Sequence, residues 1–338
     1  MRNSDYTLDN KVDLLPIFSN FIGIDKLIIE IPREGCDVEA LIRVPVPMVA
    51  ILTGQLFHRG EICKGVNIQE YPDSIRLTIN PAIFLYGNNF VTVGLPHIKL
   101  LIDKLKQEYE LDIVGAIIRR IDIQCTIRTN LIPTAYYSVL GRYKDFNRNI
   151  VRSTLYYNSK ASNKYKTGLL YDKKKQASPE IPIDYMGNEY LRIEWQYFNR
   201  FLKIEAKKFG LNRLLIKHLL AKGGYELFLN LWYSDFKAIY KEPVKVVDMS
   251  LINKISDMDN MLINQGVENI GGLMVLENMI NDSRHFKDKP RDFYSKMKKR
   301  YRDKSKLSKF TYASPLIDEL NEKVELAYQN TINSLKDF

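Results

Sequence analysis

A tyrosine stands where an apolar run of the sequence meets a cluster of lysines. Tyr171 ends that run and is followed, after one aspartate, by Lys173, Lys174 and Lys175. Nearby ammonium groups favour the ionised form of a phenol, whose unperturbed pKa is about 10, and a phenolate is a nucleophile. The chain contains 21 tyrosines, so a packed aromatic ring is the competing interpretation, and the surroundings of Tyr171 must decide between them.

Two segments that flank this tyrosine in the sequence repeat the pattern Arg-x-acid-x-Gln. Residues 117–129 and 191–197 both alternate apolar with polar side chains, which predicts strands with one buried face. The acids of the pattern, Asp122 and Glu194, would share one surface if the two strands were neighbours. Like charges there repel, and a divalent cation with oxygen ligands, Mg²⁺ or Mn²⁺, would hold them together.

Each acid of this pair also has a simpler interpretation. A salt bridge to Arg120 or Arg192 across the strand pair would satisfy either carboxylate without a metal. For a single acid the salt bridge is the commoner arrangement. Two acids together, with the tyrosine between them in the sequence, favour the cation.

A block near the C-terminus holds most of the excess positive charge. Residues 284–309 contain twelve Lys or Arg and three Asp, and the whole chain has a net charge of +10. Aromatic residues are interleaved with these cations, a combination typical of a surface that contacts phosphates. A solvated helix with unbalanced charge that binds nothing is the alternative. The predicted nucleic-acid contacts of the block are Lys296, Lys298, Lys299, Arg300 and Arg302.

The cysteines and histidines exclude several kinds of site. Cys36, Cys63 and Cys125 are far apart and form no CxxC pair, which predicts reduced thiols and excludes a zinc site built from thiolates. The histidines are equally scattered, which argues against a histidine-based active site. No signal peptide is visible, and no apolar run approaches the roughly 20 residues that span a bilayer. We therefore expect a cytoplasmic protein without membrane contacts.

The periodicity of the chain predicts an α+β fold. Its catalytic core would be a mixed or antiparallel β-sheet with flanking helices, followed by an all-helical C-terminal part. Residues 1–20 form a polar lead-in, 21–242 the catalytic domain and 243–338 a basic, helical DNA-binding region. Strands are predicted at 24–32, 49–57, 66–70, 74–80, 117–129, 152–158, 166–171 and 191–197. Helices are predicted at 98–109, 133–142, 201–209, 213–221, 225–240, 251–264, 272–281, 291–304 and 314–336.

Three blocks of the sequence, in order, resemble the replication initiators of the filamentous-phage gene II/X family. They are IIRRIDIQCTIR (117–128), STLYYNSKASNKYKTGLLYDKKKQ (153–176) and LRIEWQYFNRFLKIEAKKFGL (191–211), and NPAIFLYGNNF (80–90) is also similar. The resemblance covers roughly residues 75 to 240. A more distant similarity extends to the transposase-like initiators of small rolling-circle plasmids, in the Tyr-x-Lys and Arg-x-Glu elements.

The resemblance implies a metal-dependent nickase that starts rolling-circle replication at a phage or plasmid origin. By position, Tyr171 matches the nicking tyrosine and Lys173 the lysine two residues later, while Asp122 and Glu194 match the metal ligands for Mg²⁺ or Mn²⁺. Attack of the tyrosine on a phosphodiester would leave a 5′-phosphotyrosyl intermediate and a free 3′-OH primer, which can later religate the strand. Further DNA contacts are expected at Arg120, Lys174, Lys175 and Arg192.

The implied partners are origin DNA, double-stranded with a single-stranded nick region, and a host helicase and polymerase. A homodimer is compatible with the sequence. A non-catalytic origin-binding or copy-control protein of the same fold is the alternative function. A relaxase or recombinase is less consistent with the sequence, because the histidine pairs and arginine-rich signatures of those enzymes are missing.

One position departs from the family pattern. The family usually has a glutamate five residues after the tyrosine, where this chain has Gln176. A neutral amide can coordinate or donate a hydrogen bond, but it is neither a carboxylate ligand nor a proton acceptor. The metal site would then rest on Asp122 and Glu194 alone, or another acid such as Glu180 or Asp172 would substitute.

Overall fold

A computed structural model of the chain divides it into two units. Within the described residues, the first unit lies in Met1–Glu242 and Leu316–Phe338, and the second in Pro243–Pro315. The predicted lead-in, the Glu180 alternative and most of the predicted strand at 49–57 fall outside the described residues. The described residues are 20–34, 37–43, 46–49, 56–160, 165–177, 183–242, 245–247, 254–270, 273–282, 291–305, 311–313 and 315–336.

The first unit is built on a ten-stranded antiparallel sheet, which confirms the predicted fold class. The strands of this unit are β1 (Ile22–Pro32), β2 (Val46–Val49), β3 (Leu56–Cys63), β4 (Val66–Glu70), β5 (Ser74–Ile79), β6 (Ile117–Thr129), β7 (Leu140–Tyr143), β8 (Asn147–Val151), β9 (Thr154–Asn158), β10 (Lys166–Asp172), β11 (Glu189–Phe198) and β12 (Ile239–Lys241). The strand order of the sheet is β2-β3-β4-β5-β1-β6-β11-β10-β9-β8, and β7 pairs separately with β12.

Helices cover the sheet of the first unit and form most of the second. Two short 3₁₀ helices, Pro133–Val139 and Ile183–Tyr185, complete the first unit. The α-helices are α1 (Val38–Leu41), α2 (Pro81–Tyr86), α3 (Leu95–Tyr109), α4 (Lys173–Ala177), α5 (Asn199–Lys208), α6 (Ile216–Leu220), α7 (Lys222–Lys237), α8 (Ile255–Asn269), α9 (Leu273–Asp282), α10 (Arg291–Ser305) and α11 (Leu316–Ser334).

The two faces of the central strands differ in chemistry. On β6, Ile121, Ile123 and Cys125 point to one face and are fully buried, as the alternation of the sequence predicts. Helix α7 packs on this apolar face, where the Trp232 indole Nε1 donates to the Ile193 carbonyl of β11 at 3.3 Å. The opposite face carries the polar residues of the two repeated patterns.

A buried polar cluster ties α7 to the apolar face. Asp235 of α7 accepts hydrogen bonds from Lys166 Nζ at 2.6 Å, Tyr143 Oη at 2.6 Å and Tyr197 Oη at 3.1 Å. The carboxylate is therefore paired with a cation and with two hydroxyl donors. A buried charge destabilises the fold unless it is paired and hydrogen-bonded in this way.

The second unit contains α8, α9 and α10 together with a short two-stranded sheet, β13 (Lys245–Val247) and β14 (Thr311–Ala313). The predicted C-terminal part is thus helical, with this strand pair in addition. The last helix, α11, belongs to the first unit although the predicted division places it with 243–338. Its Thr331 Oγ1 accepts from the Ile22 amide at 2.8 Å, and Glu319 accepts from the Asn130 amide at 2.9 Å.

Several predicted elements are reproduced closely and one is wrong. Strand β4 and strand β6 have the predicted bounds, and α3 begins at Leu95, with Pro96 in its first turn. The helix predicted at 133–142 is instead a 3₁₀ helix that ends at Val139, because the next four residues form β7 and pair with β12. Edge strand β8 and helix α2 were not predicted.

Candidate active site

The strand register brings the two Arg-x-acid-x-Gln patterns together on one face of the sheet. Strands β6 and β11 are antiparallel neighbours in which Asp122 lies opposite Gln196 and Glu194 opposite Gln124. Strand β10 follows on the other side of β11, with Tyr171 opposite Arg192. Directly opposed residues share a face, so the tyrosine and both acids lie on the same surface. For the two acids this is the arrangement that the sequence predicts.

Tyr171 contacts one of the two acids directly. Its phenol Oη donates a hydrogen bond to Glu194 Oε2 at 3.1 Å. Burial, followed by the negative charge of Glu194, raises the pKa of Tyr171 well above its ordinary value. The phenol is therefore protonated in this state, and the atom placed to receive its proton is a carboxylate oxygen.

Glu194 is buried and has neutral hydrogen-bond partners among the described residues. Its Oε1 accepts from the Gln196 amide at 2.8 Å, and its Oε2 accepts from Tyr171. Burial and the negative charge of Asp25 raise the pKa of Glu194. A carboxyl group with a raised pKa is a stronger base once ionised, so Glu194 is suited to take a proton from the phenol.

Asp122 is engaged by an arginine of its own strand. Arg120 donates to both carboxylate oxygens, from Nε and from Nη2, each at 2.7 Å. Burial raises the pKa of Asp122 to about 7; the negative charges of Glu194 and Asp25 add to this, while the Arg120 guanidinium opposes it. The salt-bridge alternative thus holds for Asp122, within one strand and not across the pair.

Arg192 is a buried organising residue, and its predicted role as a DNA contact is not available to it. The side chain has no exposed surface. It donates to Asp25 Oδ1 at 2.8 Å, to Thr126 Oγ1 at 2.9 Å and to the Asn89 carbonyl at 2.7 Å. Three donors of the guanidinium are occupied by these groups, so we assign Arg192 to positioning β1, β6 and β11 around the acids.

Asp25 is the site residue that sequence reasoning missed. It lies within the predicted first strand, where the two residues Asp25 and Lys26 separate the buried Ile24 from the buried Leu27. A β-bulge at this point interrupts the alternation, because the pairing of β1 with β6 shifts between Ile24 and Lys26. The available signal was an acid at a break in the apolar pattern.

Lys173 lies two residues beyond the tyrosine, at the start of α4, and is fully buried. Its Nζ donates to Gln176 Oε1 at 2.7 Å and lies 5.4 Å from the centre of the Phe90 ring. Burial, and next the positive charge of Arg192, lower the pKa of Lys173 to about 6. The amine is therefore largely uncharged at pH 7, and the amide at position 176 serves as its hydrogen-bond acceptor.

The remaining predicted DNA contacts differ in exposure. Lys174 is half-buried and paired with Glu189 at 3.1 Å, whereas Lys175 is largely exposed. Arg120 is mostly enclosed, because it binds Asp122 and its guanidinium lies 4.9 Å from the centre of the Phe198 ring. Lys175 is thus the freest of the cations next to Tyr171.

The predicted cations of the basic block lie on α10 of the second unit. Lys299 and Arg300 are exposed, and Lys298 contacts Asn281. Lys296 pairs with Asp292 at 2.7 Å, and Arg302 donates to Glu277 of α9 at 2.5 and 2.9 Å. The helix therefore presents cations to solvent while two of them also have carboxylate partners.

The donor set on the polar face suits a hard divalent cation. No group of three His, Cys, Asp or Glu side chains arranged to hold a metal is found in the described part of the chain. Mg²⁺ needs less than that, because it typically binds one or two carboxylates and keeps several waters. Glu194 fits this requirement, since its hydrogen-bond partners are a phenol and an amide. The negative charge of Asp25 acts on it, and the Arg192 guanidinium opposes that charge only in part, because the pKa of Glu194 is still raised.

Comparison of the sequence with family models and with curated proteins finds no match. Among the described residues no helix combines the length and the apolar character needed to cross a bilayer. The functional interpretation therefore depends on the three sequence blocks and on the geometry of the tyrosine site.

Proposed function

We propose that this chain is a rolling-circle replication initiator that nicks one strand of a phage or plasmid origin through Tyr171. The observation that carries the proposal is the hydrogen bond from the Tyr171 hydroxyl to Glu194. A nucleophile that donates to a base, with the base held by a further group, is the arrangement used for covalent catalysis. Gln196 is that further group, because its amide fixes the other oxygen of Glu194.

The reaction uses the phenol as nucleophile and Glu194 as proton acceptor. Tyr171 Oη attacks the scissile phosphorus while its proton passes to Glu194 Oε2. The bond between phosphorus and the 3′ oxygen breaks, and that oxygen departs as a hydroxyl after taking a proton from solvent, to which Glu194 returns the phenol proton. The products are a 5′-phosphotyrosyl protein and a 3′-OH primer, and the reverse attack reseals the strand.

A bound Mg²⁺ or Mn²⁺ would supply Lewis-acid stabilisation of the charge that develops on the phosphate oxygens. Glu194 would hold it, with Asp122 as the second carboxylate. Asp122 can contribute only the oxygen lone pairs that the two Arg120 hydrogen bonds leave open. Arg120 thereby limits the coordination that Asp122 can offer and fixes the direction of its carboxylate.

Lys173 contributes as a neutral amine and not as a fixed positive charge. The Gln176 amide accepts its hydrogen bond without adding a negative charge that would raise the lysine pKa again. The glutamine that departs from the family pattern therefore keeps Lys173 able to exchange protons near neutral pH. In this role Lys173 assists proton movement beside Tyr171.

A non-catalytic origin-binding protein of the same fold is the second candidate. The observation in its favour is that Arg120 occupies both oxygens of Asp122, which weakens the metal site. Both candidates predict binding to origin DNA in the cytoplasm of a bacterial host, followed by recruitment of a helicase and polymerase. Only the first predicts a covalent bond between protein and DNA.

The replacement Tyr171→Phe separates the two candidates. Supercoiled DNA that carries the cognate origin should be nicked by the wild-type protein in Mg²⁺ or Mn²⁺, and denaturing gels should show a covalent adduct. The Phe variant should bind the origin without nicking or adduct, because the ring remains and the nucleophilic oxygen is lost. Tyr165→Phe is the matched control, since Tyr165 precedes β10 and packs its ring on Phe201 at 5.1 Å.

Two outcomes of this assay would contradict the assignment. If the Tyr171→Phe protein still forms the adduct, another residue is the nucleophile. If the wild-type protein binds the origin but neither nicks nor forms an adduct, the non-catalytic function is favoured.

A further inference from the structure

Beyond Tyr171 the polar face of the sheet continues across three strands to the edge of the molecule's first unit. Strand β9 pairs with β10, and β8 pairs with β9 as the last strand of the sheet. The register places side chains of the three strands in cross-strand rows on the same face as the tyrosine. These rows are Tyr171 with Thr154 and Val151, Leu169 with Tyr156 and Asn149, and Thr167 with Asn158 and Asn147.

The two faces of this part of the sheet differ in exposure. On the inner face, Leu155, Tyr157 and Leu170 are completely buried. On the tyrosine face, Tyr156 and Leu169 are half-buried, and the β8 residues are exposed. The chain therefore leaves a strip of aromatic, apolar and amide side chains open to solvent, and the strip begins at the candidate nucleophile.

The chemistry of this strip suits a single strand of nucleic acid. A half-buried tyrosine ring offers a face on which a base can stack, and asparagine amides can pair with base edges or phosphates. Neither β8 nor β9 contains an acidic residue that would repel the backbone, and the exposed cations Arg152 and Lys160 lie at the two ends of β9. The exposed cations therefore suit the phosphates of a single strand, and the tyrosine ring suits its unpaired bases.

We propose that the face formed by β8, β9 and β10 binds single-stranded nucleic acid beside Tyr171, and that Tyr156 stacks on one of its bases. The inference rests on the proposed function in that the bound strand would be the one Tyr171 cuts. Two strand spacings separate β10 from β8, or about 10 Å. At the roughly 3.4 Å spacing of stacked bases this strip covers about three nucleotides next to the scissile phosphate.

Fluorescence anisotropy with a labelled single strand of about 12 nucleotides tests the proposal, because grooves of this kind cover about 4 to 16 nucleotides. Every protein in the comparison carries Tyr171→Phe, so that cutting does not interfere with binding. Adding Tyr156→Ala should weaken binding by about fivefold to about 150-fold, the range measured for loss of one base–aromatic stack. Adding Tyr156→Phe should leave the affinity within about twofold, because the ring is retained.

Ile150→Ala is the matched control for this strip. Ile150 lies on β8 with about half of its surface exposed, but it points to the opposite face. Its replacement should not change binding. Circular dichroism melting of the Tyr156→Leu protein, which keeps an apolar residue on β9, shows whether a loss of affinity reflects stacking or loss of folding.

Each outcome either supports or overturns the proposal. A loss in Tyr156→Ala and in folded Tyr156→Leu, with Phe and Ile150→Ala unchanged, supports stacking. Unchanged binding in Tyr156→Ala, or equal losses on single-stranded and duplex DNA, overturns it. The nicking assay with Tyr171 intact is a separate readout. If the protein nicks normally but its affinity for the single strand does not depend on Tyr156, only the proposed binding face is refuted. If the affinity depends on Tyr156 but the protein never nicks, only the proposed function is refuted.

Discussion

The buried lysine next to the candidate nucleophile can be tested by its effect on stability. Lys173 is fully buried, and its Nζ has one hydrogen bond, to Gln176, among those described. Replacing it by methionine keeps most of the side-chain volume and removes the amine. Because burial opposes the charged form, the folded chain must release the lysine proton at neutral pH, and Lys173→Met removes that requirement.

The magnitude follows from the lowered pKa of Lys173. The folded value is about 6 and the ordinary value 10.5, so between these limits the unfolded chain holds one more proton than the folded chain. The free energy of unfolding therefore rises with pH across this window, by about 1.4 kcal/mol per pH unit. At pH 7 the difference between the ordinary lysine pKa and the pH is about 3.5 units, so burying the amine costs about 5 kcal/mol of the free energy of unfolding. The methionine variant avoids this cost but loses the hydrogen bond to Gln176, so its net gain is about 4 kcal/mol.

Urea unfolding at pH 6.5 to 9, followed by circular dichroism, measures this effect. The Lys173→Met protein should be the more stable one at pH 6.5, and its advantage should shrink steadily as the pH rises. Lys175→Met is the matched control, because Lys175 lies on the same helix with about two thirds of its side chain exposed. Parallel stability profiles for wild type and Lys173→Met would refute the reasoning, since they would mean that the buried amine keeps its proton in the folded state.

Two further predictions concern the sheet and the basic helix. A Cβ on Gly168 would lie 2.7 Å from the Trp195 ring, so Gly168→Ala should lower the free energy of unfolding by about 1–3 kcal/mol. Gly223→Ala is the control and should not lower it, because a Cβ at Gly223 would have open space around it. Equal effects of the two replacements in urea unfolding would contradict the packing argument. Origin binding should weaken steeply with salt, and reversing three charges on α10 should reduce the slope of log K against log [salt] by about 3; an unchanged slope would favour the solvated-helix alternative. The three α10 replacements are Lys298→Glu, Lys299→Glu and Arg300→Glu.

The sequence predicts the strands of the site well because their pattern is local. Alternation alone gives the bounds of β6 and the shared face of Asp122 and Glu194, once the two strands are neighbours. The partners of these residues depend on non-local pairing, which alternation does not encode. Asp25 reaches Arg192 only because β1 adds to the other edge of β6 through a bulge. For the same reason the sequence does not predict that Arg192 is buried. An arginine on a polar strand face is expected to be exposed, but β11 lies between β6 and β10, and the side chain of Arg192 is fully buried.

Two buried polar clusters lie on opposite faces of the same sheet, and their difference bears on which one is functional. On the apolar face one carboxylate, Asp235, accepts hydrogen bonds from a lysine and two hydroxyl groups, so its charge is fully paired and hydrogen-bonded. On the other face Glu194 contacts Tyr171, and its hydrogen-bond partners among the described residues are all neutral. The two other acids of this face, Asp122 and Asp25, are paired with arginines. Burial there shifts the pKa values of four side chains toward the neutral form, namely those of Tyr171, Asp122, Glu194 and Lys173.

In a cluster whose only role is to stabilise the fold, every buried charge should be paired, because an unpaired buried charge is destabilising. Groups held close to neutrality by burial can instead exchange protons or receive a cation and a phosphate when the substrate arrives, and such groups concentrate at functional sites. The buried amine of Lys173 is such a group, and the predicted gain in stability from Lys173→Met expresses its cost to the fold. Under the proposed function, that gain should be accompanied by a loss of nicking, since the same uncharged amine that weakens the fold lies two residues from the candidate nucleophile.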